Sequence, residues 1–147
     1  MNIAFFLIPK SRIAFLYEHN TFRQGLEKMR RWGYTAIPVI TKEGHYVGTV
    51  SEGDFLWHVV SDGASARCCS MKDLETLHIC DILGGKYPAV RITVTMDELL
   101  ESAMHQNFIP VVDDAGIFIG IVTRKDIIGY LAEQKGASIA NSFPKIV

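Results

Sequence analysis

The sequence predicts a mixed α/β (α+β) module in which two strand-helix-strand-strand-helix copies are related by a pseudo-twofold axis. Three observations lead there. First, Ile37-Pro-Val-Ile-Thr-Lys-Glu-Gly-His-Tyr-Val-Gly-Thr-Val-Ser-Glu-Gly-Asp54 returns 72 residues later as Ile109-Pro-Val-Val-Asp-Asp-Ala-Gly-Ile-Phe-Ile-Gly-Ile-Val-Thr-Arg-Lys-Asp126. Laid over one another without gaps, residues 37–56 and 109–128 agree at seven of twenty positions, and Ser51 falls on Thr123. Such a period means two copies of one supersecondary unit packed together. Second, a capping-box pattern precedes each copy of the stretch, Thr21 with Gln24 and Thr95 with Glu98, which marks a helix start. Third, each stretch holds two apolar runs around a glycine turn, the pattern of a β-hairpin.

Taken in order, residues 2–8 form a short amphiphilic lead-in that Pro9 stops by disfavouring a helical Ile8. Ser11 to Tyr17 reads as the first strand. Phe22, Leu26 and Met29 recur at helical spacing over residues 22–32, with Gly33 as the stop. Ala36 to Ile40 and Tyr46 to Val50 make the hairpin across Lys42-Glu-Gly44, and Ser51 caps a helix over 52–60. The second copy has its own signals. Ala89 to Val94 is a strand, and Leu99, Leu100, Ala103 and Met104 are the apolar face of a helix. Ile109 to Val112 and Ile117 to Val122 form the second hairpin, and Thr123 opens a last helix to Glu133. His78 to Leu83 matches the lead-in before the first strand. The expected organisation is residues 1–62 for repeat one, 63–78 for a linker, 79–135 for repeat two and 136–147 for a tail.

Composition bounds the function. Each repeat alone, at roughly 60–70 residues, would be marginal, so the halves are expected to share one core. With 48% hydrophobic and 21% charged residues, the 147-residue chain has the make-up of a soluble globular protein. A formal charge of -1 gives no global field for nucleic acid or an anionic membrane. Any anion must be met by a local pocket. Three cysteines, with Cys68 and Cys69 adjacent, fit reduced thiols in a cytoplasmic protein better than a disulfide framework. The apolar Ile3 to Ile8 is too short to span a membrane and lacks the basic region and cleavage site of a signal peptide.

The repeated stretch resembles the CBS domain signature: a hydrophobic-Pro-Val strand, a glycine turn, and Gly-x-Val-(Ser/Thr)-x-x-Asp entering a helix. The chain as a whole resembles a tandem CBS pair, or Bateman module. Gly33-Tyr-Thr-Ala-Ile-Pro-Val39 is also similar to stand-alone bacterial CBS-pair proteins that include cyclic di-AMP receptors. The resemblance implies an adenosine-containing regulatory ligand such as AMP, ADP, ATP or cyclic di-AMP, bound in a cleft between the repeats. It implies no required cofactor, and a homodimer formed through the CBS helices. It also implies that the loop before each first strand lines the cleft, which nominates Lys10, Ser11 and Ile13 for site one and Lys86 to Ala89, with Pro88, for site two.

The residues themselves give a physical account of such a site. A phosphate near either repeated helix start would meet free backbone N–H groups, with the Ser51 or Thr123 hydroxyl as a further donor. About one turn on, Asp54 or Asp126 can accept two hydrogen bonds from a ribose diol. Strand backbone at Ala36-Ile37 or Phe108-Ile109 can meet an adenine edge, with Tyr34, Thr35, Pro38 and Pro110 alongside. The two sites are expected to differ: Arg124 and Lys125 follow one hydroxyl and add positive charge, whereas Glu52 and Gly53 follow the other. Lys10 or Arg12 would then be needed to neutralise Glu52. A capping role alone explains Ser51-x-x-Asp54 and Thr123-x-x-Asp126 taken singly; their recurrence behind matched hairpins favours nucleotide binding.

Other chemistry finds little support. Cys68, Cys69, His78 and Cys80 match no closed zinc spacing, and the five histidines fall into no catalytic grouping. The chain therefore reads as a sensor rather than an enzyme, with output passed to an unidentified protein partner. Trp32 and Trp57, at helix ends, read as packing or dimer contacts. The alternatives are a ligand-free dimerisation or scaffold module, and a small redox or metal-linked regulator using the cysteines.

Overall fold

In the computed structural model, which describes residues 2–61, 71–84 and 87–135, the expected unit is present twice. A lead-in strand β1 (Ile8–Pro9) precedes repeat one: β2 (Leu16–Tyr17), α1 (Phe22–Trp32), β3 (Ala36–Ile40), β4 (Tyr46–Ser51) and α2 (Glu52–Ser61). A short α3 (Met71–Thr76) follows in the stretch read as linker. Repeat two is β5 (Val90–Arg91), α4 (Met96–His105), β6 (Phe108–Val112), β7 (Phe118–Thr123) and α5 (Arg124–Gln134). Cys68, Cys69, Lys86 and the tail 136–147 lie outside the described residues.

The helix starts follow their sequence signals. Thr21 Oγ1 accepts the Gln24 N–H at 3.1 Å while Gln24 Oε1 accepts the Thr21 N–H at 2.9 Å, and Thr95 and Glu98 repeat the pair. Gly33 ends α1 in the left-handed region at φ 69°, and the next N–H, of Tyr34, returns to the Met29 carbonyl at 2.9 Å. The first strands are shorter than expected. Only Leu16 and Tyr17 find parallel partners, Val39 and Ile40, while residues 10–12 coil into a 3-10 turn. Val90 and Arg91 likewise pair only with Val111 and Val112. Pairing needs a neighbouring strand, and β3 and β6 each offer these two β-strand residues a parallel edge of two registered positions.

The sheets run β2-β3-β4 and β1-β7-β6-β5. β3 and β4 are antiparallel, as are β6 and β7, and both hairpins shift register at equivalent places, Val39/Ile40 and Val111/Val112. The expected single core is three clusters. Repeat one packs Leu16, Phe22, Ile37, Val50 and Phe55. Repeat two packs Leu99, Ile109, Val111, Val122 and Ile127. Between them, Ile13 and Ile40 meet Phe118 and Ile121.

The lead-in segments are exchanged. Ile3 and Phe6 complete the core of repeat two, and Ile79 and Ile82 complete that of repeat one. β1 pairs antiparallel with β7, Ile8 opposite Ile121 and Pro9 opposite Gly120. Backbone bonds tie the other lead-in: the Ile79 N–H to the Asn20 carbonyl at 2.9 Å and the Phe22 N–H to the Leu77 carbonyl at 2.8 Å. The second glycine of each repeated motif marks the crossing. A Cβ on Gly120 would sit 2.2 Å from the Ile8 carbonyl oxygen, and one on Gly48 would sit 3.1 Å from Leu83 Cδ2. The hairpin turns also meet, with the Phe118 N–H bonded to the Gly44 carbonyl at 2.9 Å and the Tyr46 N–H to that of Gly116 at 3.3 Å.

Candidate functional site

A cleft of about 510 Å³ opens between the repeats, within the size range of small-molecule sites. Repeat one contributes Ile13 and Ala14 before β2, and Tyr34, Thr35, Ala36 and Pro38 at the start of β3. Repeat two contributes Phe108 from β6 and Ile121 and Thr123 from β7. The wall is mostly apolar, with Arg12, His105, Asn107 and the hydroxyl-bearing Tyr34, Thr35, Tyr87 and Thr123 as its polar groups.

This arrangement crosses the expected assignment. The loop before β2 was paired in sequence with Ser51 and Asp54, but it faces Thr123 of the other repeat. Ser51 and Asp54 instead line a separate cavity of about 200 Å³ with Thr49, Gly84 and Tyr87. The exchange of lead-ins causes the crossing: each lead-in runs beside the opposite repeat's last strand and delivers the following loop to that strand's hydroxyl. Tyr87, within the nominated loop Lys86 to Ala89, borders both cavities, whereas His105 and Asn107 line the cleft without having been nominated. Their place between the end of α4 and the start of β6 was their only signal.

The other expected residues divide. Ile37 and Ile109 are fully buried in the two cores and present no side chain to the cleft. Pro110 is buried in the middle of β6 and does not line the cleft. Lys10 lies with its ammonium 4.9 Å from the centre of the Phe15 ring, held by the electron-rich ring face, and it lines neither cavity. Ser11 is exposed, and Pro88 and Ala89 stand outside the lining of both cavities. Arg124 is also elsewhere than expected. Its Nε donates to the Ala103 carbonyl at 2.7 Å, because the last turn of α4 leaves carbonyls without helical partners. The guanidinium anchors α4 to α5 before any phosphate is present.

The two aspartates differ. Asp54 Oδ2 accepts the Ser51 N–H at 2.9 Å and the Ser51 hydroxyl at 3.1 Å, and the Asp54 N–H returns to Ser51 Oγ at 3.2 Å. That is a complete reciprocal cap with Asp in the Glu role. Thr123 caps the Asp126 N–H at 3.2 Å, while the Asp126 side chain is exposed in a neighbouring groove with Phe5, Leu7 and Tyr130. Ile8 borders both that groove and the cleft.

Tyr46 closes the space between repeats. Its hydroxyl bonds Thr49 Oγ1 at 2.8 Å and donates to the Tyr87 carbonyl. Burial pushes its phenol up from 10.0 to about 12, against the opposing pull of the Thr49 bond. The folded state holds the neutral phenol, so this contribution is fully present below pH 10 and is lost as pH rises through about 12. The loss should reach about 2–3 kcal/mol. Denaturant melts from pH 9 upward should show that step in the natural chain and lack it in Tyr46→Phe.

Comparison with known proteins settles the family. The CBS domain profile matches residues 7–61 and again 79–133. The chain belongs to the CBS domain family. A CBS domain protein from Streptococcus pneumoniae TIGR4 superposes with a TM-score of 0.80 at 26% identity, over 90% of this chain and 88% of that one. CbpB in complex with c-di-AMP gives 0.81 at 23% identity, over 97% and 91%. CBSX2 in complex with AMP gives 0.72 at 20% identity, over 91% and 98%. The latter two likenesses are of fold. Among the described residues no helix is long and apolar enough to cross a membrane, and no cluster of metal-ligating side chains occurs.

Proposed function

We propose that this CBS pair is a regulatory module that binds an adenine nucleotide in the Thr123 cleft and passes the signal to a protein partner. One observation carries the reading: a single cleft draws its apolar wall from Ile13 and Ala36 of repeat one and its hydroxyl from Thr123 of repeat two. A ligand there touches both repeats at once. It therefore favours whichever relative placement of the repeats fits it best, which is the requirement for a population shift. Ala14 and Ala36 flank the place for a purine, and Thr123, at the start of α5, offers its hydroxyl and the neighbouring N–H groups to a phosphate. A ligand that extends from the cleft into the neighbouring groove reaches Asp126. The c-di-AMP and AMP complexes of CbpB and CBSX2 favour ligands of this class. Leu56, Trp57 and Val60 on α2 are exposed, Trp57 at 66%, and such a stripe favours pairing of two copies through this helix.

Titration calorimetry and thermal shift with AMP, ADP, ATP and cyclic di-AMP test the reading on nucleotide-free protein. Thr123→Val should weaken the bound nucleotide about tenfold to a hundredfold, the worth of a hydrogen bond to a charged group. It should also cost about 1 kcal/mol of stability through the lost cap. Failure of every adenosine ligand to bind would favour the scaffold alternative, for which light scattering would still show dimers.

A further inference from the structure

The cleft and its pseudo-equivalent cavity carry opposite charge. Arg12, in the turn before β2, and His105, the last residue of α4, come from different repeats and line the same cleft as Thr123. Among the described residues lining that cleft there is no carboxylate. In the smaller cavity the sign reverses: Asp54 lines it, with no cation among the described lining residues. A phosphate entering the cleft meets a permanent guanidinium and an imidazole that offers an N–H donor in either protonation state. One entering the small cavity meets a carboxylate.

The walls differ too. The Ala14 N–H reaches the Tyr34 hydroxyl at 3.4 Å, a long bond that a ring nitrogen can replace. In repeat two the matching contact runs the other way: Gln106 Nε2 donates to the Pro88 carbonyl at 3.3 Å, and Pro88 has no N–H. The Ala14 N–H beside the larger cleft thus has no backbone counterpart at Pro88.

We infer that Arg12 and His105 read the phosphate of the ligand and confine a phosphorylated nucleoside to the Thr123 cleft, one molecule per chain. The inference rests on the nucleotide reading above and adds which charge and which of the two sites decide it. Calorimetric titration of the full chain with AMP and with adenosine tests it. One AMP per chain is expected. Arg12→Gln should weaken AMP at least fivefold while changing adenosine affinity less than twofold, and His105→Gln should act in the same direction with a smaller factor. Gly84→Ala places a methyl 3.4 Å from Asp54 Oδ1, an ordinary contact inside the small cavity, and should leave both affinities and the stoichiometry unchanged. Two AMP molecules per chain, equal loss of AMP and adenosine in Arg12→Gln, or loss of AMP binding in Gly84→Ala would overturn the inference while leaving nucleotide binding in place. Absence of binding by both ligands to the natural chain would remove the nucleotide reading and the inference together. Unchanged thermal melting of Arg12→Gln separates ligand reading from a structural role.

Discussion

Gly120→Ala should lower the unfolding free energy by about 3 kcal/mol or more, the upper end of overpacking. The added Cβ would lie 2.2 Å from the Ile8 carbonyl oxygen and 3.1 Å from its carbon. Both are backbone atoms, so no rotamer change relieves the clash. Either β1 lifts from β7 or the β6–β7 hairpin distorts, and both leave backbone groups of Ile8 and Ile121 without their ladder partners. Gly48, the pseudo-equivalent position, supplies the control. Its Cβ would meet the flexible tip of Leu83 at 3.1 Å, so Gly48→Ala should cost much less. Chemical denaturation of the two variants side by side reads the difference; equal losses would mean that glycine matters at these positions for some reason other than the crossing.

The second large effect concerns the exchanged apolar side chains. Ile79→Ala should cost about 2–5 kcal/mol, the usual range for opening a cavity in a packed core. Ile79 is fully buried against α1, where Gly25 makes room for it: a Cβ at Gly25 would stand 2.6 Å from Ile79 Cδ1. Ile3→Ala should fall in the same range, since Ile3 is 1% exposed in the cluster with Leu99 and Ile127. The diagnostic is where the damage appears. Hydrogen exchange should speed up in α1 and β3 of repeat one for Ile79→Ala, and in α4 and β6 of repeat two for Ile3→Ala. Damage confined to the repeat nearer in sequence would contradict the exchange.

What the sequence showed well was local. Thr21 with Gln24, Thr95 with Glu98, and Gly33 act over three or four residues, and each sits at the helix end it marked. The two hairpins were legible because a repeated Ile-Pro-Val run and a glycine turn leave little freedom in register. The first strands were overextended because Ser11 to Tyr17 looks strand-like at every position, whereas pairing depends on how much of β3 is free to accept it. Ile8–Pro9 carried no strand signal of its own; β7, more than a hundred residues away, makes it one. The site followed the same division. Thr123 and Ala36 could be nominated one by one from a motif, but their meeting in one cleft depends on the crossing of lead-ins, which no local pattern encodes. Arg124 illustrates the remaining gap, since a charged residue after a cap reads as a ligand donor until the unsatisfied Ala103 carbonyl beside it is seen.

The pairing of β1 with β7 also sets an order of events during biosynthesis. Ile3, Phe6 and Ile8 leave the ribosome about a hundred residues ahead of their docking surface on residues 118–122. At about 5–20 residues per second, that apolar arm stays undocked for roughly 5–20 seconds, exposed to chaperones and to neighbouring nascent chains. Repeat one waits a shorter time for Ile79. The cleft, whose wall includes Ile8, is complete only after the arm closes onto β7.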